Sequence, residues 1–412
     1  MTTNWYQRLP FDPDCCTLCG ECFHRCPVLR LPLETARREM QALMEGKDSP
    51  VLRDCTSCLA CNLFCPTDAR PANLILDRWH EAYLREGLPA RARYFLPHAR
   101  PNFRTDILDR LPPDERAAVA RWGRDDPAPE FLYTGCNLLT APYLTFSSLF
   151  AGVAIRGSLD YCCGEMLFRM GLYEAVEQVA RRLTHWFRRL GARRVYLLCT
   201  AGLNMFQNVL PQFGADFSGI QFQHYLPMVL ERLRSGDLRV VRLLGWEVTV
   251  QDSCHARALE PSFADLPRQI LEAIGVQVRE APHSRQEQLC CGIGGGFSHT
   301  SAYHPFRILL SARTTSRDHR RARADATCVY CVGCLEMMSV ARFADPNRRP
   351  VMHLLELVQW AVGETPRRQG ALAWQFLRGV VRRQFPRLLS RERFWLEELP
   401  VVPEGGSGWD SP

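Results

Sequence analysis

Cysteine is the residue whose type and spacing carry chemistry in this chain of 412 residues, which holds 19 of them. One stretch gathers five: Cys254, then the pair Cys290-Cys291 followed by Gly292, then Cys328-Val329-Tyr330-Cys331. Thirty-five residues separate Cys254 from Cys290, and thirty-six separate Cys291 from Cys328. Thiolates are soft ligands that select zinc, copper(I) or iron–sulfur clusters. A structural zinc site takes four ligands, so five clustered thiols exceed it. The stretch is read as the cradle of one unusual iron–sulfur cluster.

Two further runs lie near the N-terminus, Cys16-x2-Cys19-x2-Cys22-x3-Cys26-Pro27 and Cys55-x2-Cys58-x2-Cys61-x3-Cys65-Pro66. In the bacterial two-cluster ferredoxin pattern, the fourth cysteine of each run serves the other cluster. The spacing therefore predicts one cubane [4Fe-4S] cluster on Cys16, Cys19, Cys22 and Cys65, and another on Cys55, Cys58, Cys61 and Cys26. Cys15 falls outside the pattern and is read as a neighbour of the site.

The elements that position these thiols follow from periodicity. Ala36, Met40 and Leu43 predict a helix between the two runs, and Leu74, Trp79 and Tyr83 another after them. Residues 1–90 are thus a helical ferredoxin, and residues 91–130, rich in Arg, Pro and Asp, a connector without visible chemistry. From Phe131 short apolar strands alternate with helices, which predicts α/β organisation. The cysteines repeat with it: Cys136, Cys162-Cys163-Gly164 and Cys199 form one set over residues 131–240, and the five-cysteine stretch forms the second over 241–363. Thirty-five residues separate Cys163 from Cys199, which aligns Cys199 with Cys328 and sets Gly202 where Cys331 stands. The fold class is an α-helical two-cluster ferredoxin followed by two repeated α/β domains, the first with an incomplete motif. Residues 364–412 are basic and aromatic, with Leu372, Phe376 and Val380 on one helical face. That segment either docks on a partner or membrane surface or packs on its own domain.

Two copies of Cys…Cys-Cys-Gly…Cys-x-x-Cys behind a helical ferredoxin resemble the fused D-type subunit of heterodisulfide reductases, with its paired CCG domains. Related plans occur in the DsrK-type subunit of sulfite-reduction membrane complexes and in the iron–sulfur subunits of glycolate oxidase and anaerobic glycerol-3-phosphate dehydrogenase. The resemblance spans residues 10–340. It implies a non-cubane [4Fe-4S] cluster on Cys254, Cys290, Cys291, Cys328 and Cys331, a centre that cleaves disulfides. Gly202 in place of a fifth ligand implies loss or alteration of the cluster on Cys136, Cys162, Cys163 and Cys199. His255 either orients the site or handles a proton, and a structural role is equally open. Gly292, Gly294 and Gly295 follow the ligand pair rather than a first strand, so they are not a dinucleotide fingerprint. They would let backbone N–H groups approach cluster sulfurs. Cys334 is read as a buried spare.

Composition narrows the rest. The net charge of +7 rests almost wholly on arginine, with Lys47 the single lysine, and the charges are scattered. No nucleic-acid partner is expected. No apolar run is long enough to span a bilayer and no secretory layout opens the chain, so a cytoplasmic place is expected, at most peripheral to a membrane through partners. In a reduced compartment such cysteines ligate metal rather than pair. The chain is expected to act as an oxidoreductase subunit carrying electrons from two cubanes to a thiol/disulfide centre. The alternative is a pure relay between a flavin dehydrogenase and a quinone or cytochrome b partner. No flavin or nicotinamide site is visible, so either way other redox subunits, a flavoprotein or a membrane subunit, are expected.

Overall fold

The computed structural model describes residues 10–344, 349–367 and 370–396. The N-terminal body is helical, with helices Glu21–His24, Leu33–Met44, Pro50–Asp54, Ala60–Phe64 and Pro71–Glu86. Ala36, Met40 and Leu43 form the buried face of the second of these. Ser49 starts the third by accepting a hydrogen bond from Val51 N, with Pro50 at the first helical position. Trp79 Nε1 donates to Leu52 O at 2.9 Å and ties the last helix to the third.

Two four-stranded parallel sheets follow. The first orders its strands Ala154–Arg156, Glu130–Tyr133, Arg194–Leu197, Gln221–His224. The second orders Gln277–Val278, Glu247–Gln251, Ala326–Val329, Val351–His353. The two orders are the same in sequence rank, so the repeat extends to topology. In each sheet the first strand in sequence sits between the second and third, which makes its C-terminal end a switch point where open α/β sheets place their sites. The helix Tyr173–Leu190 covers the first sheet with Val176, Val179, Leu183, Trp186 and Leu190, and ends at Gly191 in the left-handed region.

The strand registers correct the sequence alignment of the two copies. Tyr133 pairs with Leu197, and Gln251 with Val329. Cys136 and Cys254 each stand three residues beyond their strand partners, Tyr133 and Gln251. On the neighbouring strand Cys199 follows Leu197 by two residues, and Cys331 follows Val329 by two. Cys199 therefore corresponds to Cys331, not Cys328, and Gly202 to Cys334, not Cys331. The interval after the Cys-Cys pair is thirty-five residues in the first copy and thirty-nine in the second. Counting intervals hid this offset, because Cys328 happens to lie one residue from the expected spacing.

Other expectations shift. In the second copy a 3-10 turn, Ile293–Gly296, precedes the helix Pro305–Arg321. The connector is ordered into helices Phe103–Leu108 and Pro113–Trp122, the former opened by a capping box of Asn102 and Thr105. The basic C-terminal segment packs on the protein itself. Phe376 lies against Phe95 and Phe103, and residues 393–394 pair with 88–89. Two of its arginines pair inward, Arg367 with Glu115 at 2.8 Å and Arg383 with Asp106 at 2.9 Å. Residues 397–412 of that segment lie outside the described residues. No helix among the described residues is long and apolar enough to cross a membrane.

Candidate metal centres

The ferredoxin runs place their thiols as two crossed sets. Cys22 is pushed up to about 12 by burial and by the nearby thiolates of Cys65, Cys19 and Cys16. Cys26 rises to about 11 through burial and Cys58, while Cys61 rises well above the ordinary thiol range through burial and Cys55, Cys22, Cys58 and Cys26. The fourth cysteine of each run thus stands with the first three of the other, and Cys22 beside Cys61 makes the two sets neighbours. Backbone N–H groups already aim at sulfur: Ser57 N donates to Cys55 Sγ at 3.3 Å, Ala69 N to Cys65 Sγ at 3.3 Å, and Leu29 N to Cys26 Sγ at 3.4 Å. Cys15 stands apart, its thiol donating to Asp12 Oδ2 at 3.3 Å.

In the second copy three elements deliver the thiols to one point. Cys254 opens the turn after its strand, Cys290 and Cys291 enter from the loop before the Ile293–Gly296 turn, and Cys331 caps the helix Val332–Ala341 that carries Cys334. All five thiols are buried. Cys290 is held well below the ordinary thiol range by S–H groups donated from Cys254 and Cys291. Cys331 is likewise held low by Cys199 and Cys334. Cys334 in turn touches both Cys291 and Cys331. Cys328 is elsewhere. It lies within its strand, opposite Val250 and Met352, and the charged groups around it are Glu356, Arg268 and Asp252 rather than thiols. The thiol that the structure brings to the other four is therefore Cys334, and Cys328 stands apart from them.

The glycine expectations divide. Gly294 N donates to Cys290 Sγ at 3.3 Å, and a Cβ there would sit 2.9 Å from that sulfur and 2.5 Å from Thr56 O. Gly292 N also favours the Cys290 thiolate. Gly295 instead makes room for the helix behind it, where a Cβ would meet Arg307 O at 2.6 Å. His255 is buried, with Nε2 2.8 Å from Glu165 Oε1 and Nδ1 3.3 Å from Asn204 Nδ2. Both partners come from the first copy.

In the first copy Cys136, Cys162 and Cys163 lie together, and Cys199 reaches Cys163. Its fifth position is Gly202. Cys199 Sγ stands 4.0 Å from Cys331 Sγ, so the two copies meet sulfur to sulfur. The connector supplies what the sequence did not reveal. Arg104 is buried, donates to Asn137 Oδ1 at 2.9 Å, and is held charged by Cys136, Glu336 and Cys162 despite burial. Also missed were His224 and His353, which end the fourth strand of each sheet and pair with Leu197 and Val329. Each cap accepts a backbone N–H two residues on, at 3.4 Å and 3.2 Å. A second repeat, His followed by a helix, was present in the sequence as the signal.

Among the described residues no three His, Cys, Asp or Glu side chains converge on a single ion. Thiolates around a four-iron cube each bind a different iron, so they need not converge. The donor chemistry, all-thiol sets ringed by N–H groups aimed at sulfur, fits iron–sulfur clusters.

Residues 8–66 match the 4Fe-4S dicluster domain family, and residues 132–207 and 248–339 match the cysteine-rich domain family. The D-type subunit of the dihydromethanophenazine:CoB–CoM heterodisulfide reductase of Methanosarcina barkeri is 23% identical over 402 residues, covering 85% of this chain and 94% of that one. The EtfAB:quinone oxidoreductase of Syntrophomonas wolfei is 25% identical over 285 residues, 63% of this chain but 38% of the relative. A probable iron–sulfur-binding oxidoreductase of Bacillus subtilis, FadF, is 26% identical over 78% of this chain and 42% of its own length. The chain thus spans under half of the latter two relatives.

Proposed function

We propose that this chain, which belongs to the iron–sulfur proteins joining a 4Fe-4S dicluster domain to paired cysteine-rich domains and resembles the D-type subunit of heterodisulfide reductases, is an oxidoreductase subunit that brings electrons to a thiol/disulfide site in its second copy. The ligands there are Cys254, Cys290, Cys291, Cys331 and Cys334. The ferredoxin ligands are Cys16, Cys19, Cys22 and Cys65 in one set and Cys26, Cys55, Cys58 and Cys61 in the other. An iron–sulfur cluster supplies one-electron steps and an iron able to take a further sulfur ligand.

The chain's own residues lay out the path. Cys16 and Cys19 are half-buried and form the outer end. Cys22 adjoins Cys61, and Cys58 packs with Cys254 in one apolar cluster together with Ala60 and Phe64. The thiol sets therefore stand in a row from the surface to the second copy. Splitting a disulfide consumes two electrons and two protons and yields two thiols. His255 Nε2, bound to Glu165 beside Cys254, is placed to hold a proton there.

The observation that carries this reading is a cavity of about 390 Å³ between ferredoxin and second copy, whose lining includes Cys290, Leu289, Thr315, Val28 and Leu310. It gives a small thiol or disulfide a way to one ligand of the second-copy site. A relay to a further partner is the second reading, favoured by the cavity reaching no other thiol of that site. The reduced, anaerobically loaded protein mixed with a panel of disulfides and followed by EPR distinguishes them. Perturbation of the second-copy signal by a disulfide is expected; a signal indifferent to every disulfide leaves the relay.

A further inference from the structure

We infer that Arg169, a residue of the first copy, is the positioning residue that joins the second ferredoxin set to the second-copy thiol site and holds both at raised reduction potential. This rests on the reading that those thiol sets carry clusters.

Arg169 follows the short helix Glu165–Phe168 and its side chain is 2% exposed. Its guanidinium divides its bonds between the two sites. Nη2 donates to Thr56 O at 2.8 Å, inside the second cysteine run, and Nη1 lies 3.5 Å from Cys254 Sγ. The Arg169 carbonyl accepts from Ser57 Oγ at 3.2 Å, so backbone and side chain both grip that run. One-electron reduction adds a negative charge to a cluster. A buried fixed cation a few ångströms away, where the dielectric is low, favours that reduced state.

The cation has a counterweight. Glu165 Oε1 accepts from Arg169 Nη1 at 3.0 Å and lies 2.8 Å from His255 Nε2. The arrangement is one-sided. Arg169 stands five residues past Gly164, and the residue five past Gly292 is Phe297. The two equivalent positions touch, the guanidinium lying 4.2 Å from the Phe297 ring centroid. At this position the second copy therefore offers an aromatic ring where the first offers a cation. A copy lacking its fifth cysteine still furnishes Arg169, Glu165, Asn204 and Cys199 to its neighbour's site, which gives it a function without a complete motif of its own.

The test is an EPR-monitored redox titration of the loaded full chain and two variants, with iron per chain measured on each. Arg169→Met is expected to lower the midpoints of the second ferredoxin centre and the second-copy centre, each by about tenfold in reduction equilibrium, ~59 mV for one electron. The outer centre on Cys16, Cys19, Cys22 and Cys65 is the internal reference and stays. Glu165→Gln, which removes the counterweight, is expected to raise the same two midpoints. A loaded Arg169→Met protein with unmoved midpoints, or with all three moved together, overturns the inference and leaves the functional reading intact. If Arg169→Met does not assemble, Glu165→Gln decides: a rise in the two inner midpoints supports the inference, and no rise overturns it. Wild-type protein that takes up no iron overturns both.

Discussion

At the scale of single residues, the consequential exchange is Cys334 for Cys328. The two differ in where their backbones end. Cys328 is inside a strand that is hydrogen-bonded on both sides, so its thiol is fixed within the second domain's own core. Cys334 sits one helical turn beyond Cys331, on the face that meets Cys291. Cys334→Ser is therefore expected to abolish the second-copy EPR signal while leaving the ferredoxin signals. Cys328→Ser is expected to keep all signals. Loss of the signal in Cys328→Ser, with retention in Cys334→Ser, would restore the ligand set suggested by spacing. The corrected register makes a second prediction. Gly202 has ordinary backbone angles, and a Cβ there would meet only the end of Leu197 at 3.1 Å and Cys199 Cβ at 3.9 Å. Gly202→Cys should fold and add a fifth thiol to the first copy. If that copy is short of a cluster for want of this ligand, iron should rise from about twelve toward about sixteen per chain, at four per cluster. An unchanged iron content would show that the missing thiol is not what limits loading.

At the scale of elements, the ferredoxin loop and the second copy are held together by absent side chains as much as by present ones. The 3-10 turn Ile293–Gly296 lies against Thr56, and Gly294 is where the two backbones come closest. Gly294→Ala would drive a methyl group to 2.5 Å from Thr56 O, a backbone atom that cannot rotate away. Overpacking of this kind costs about 1–3 kcal/mol. The expected result is a lowered thermal midpoint and slower reduction of the second-copy centre in stopped-flow, with iron content kept; wild-type rates would mean the loops part without consequence. The long elements were legible in the sequence. The helix Tyr173–Leu190 shows its apolar stripe, and the central strands their β-rich runs, because one buried face imposes a period. Three of the four edge strands of the two larger sheets were not legible. Ala154–Arg156, Gln277–Val278 and Val351–His353 are two or three residues long, too short for alternation to register. The cysteine runs of the ferredoxin were legible because three thiols of each set are close in sequence and the fourth lies in a run of identical spacing. The second-copy set was misaligned because a loop four residues longer shifts the final Cys-x-x-Cys, and only strand pairing reveals that shift. Arg104 and Arg169 were invisible for a related reason: each serves a site that its own segment does not contain.

At the scale of the whole molecule, burial of titratable groups makes stability depend on pH. His98, His224 and His353 are each held near pKa 3 by burial, and His319 near 4 for the same reason. Unfolded histidine titrates near 6.5. Below about pH 6.5 the unfolded chain takes up protons that the folded chain refuses, so stability must fall as pH falls, until the folded values are passed. The opposite limb comes from Glu336 and Glu356, which burial raises to about 7 and about 8. Above the unfolded carboxylate value near 4.3, the unfolded chain releases protons that these two retain, so stability drifts down as pH rises through that window. His98 offers the cleanest test. Among the described residues neither of its ring nitrogens has a hydrogen-bond partner, and the charges around it are Arg182, Arg104 and Arg100, all opposed to its protonation. It belongs to none of the thiol sets. Replacing it with a similarly sized neutral group, His98→Met, should remove one proton from the acid limb, about 1.4 kcal/mol per pH unit between roughly pH 4 and 6. Urea unfolding midpoints of wild type and variant at pH 5 and pH 7 measure this. The variant should lose less stability between the two pH values than wild type does. Equal losses would mean that His98 finds a partner for its proton in the folded chain, and that the acid limb is carried by the other three.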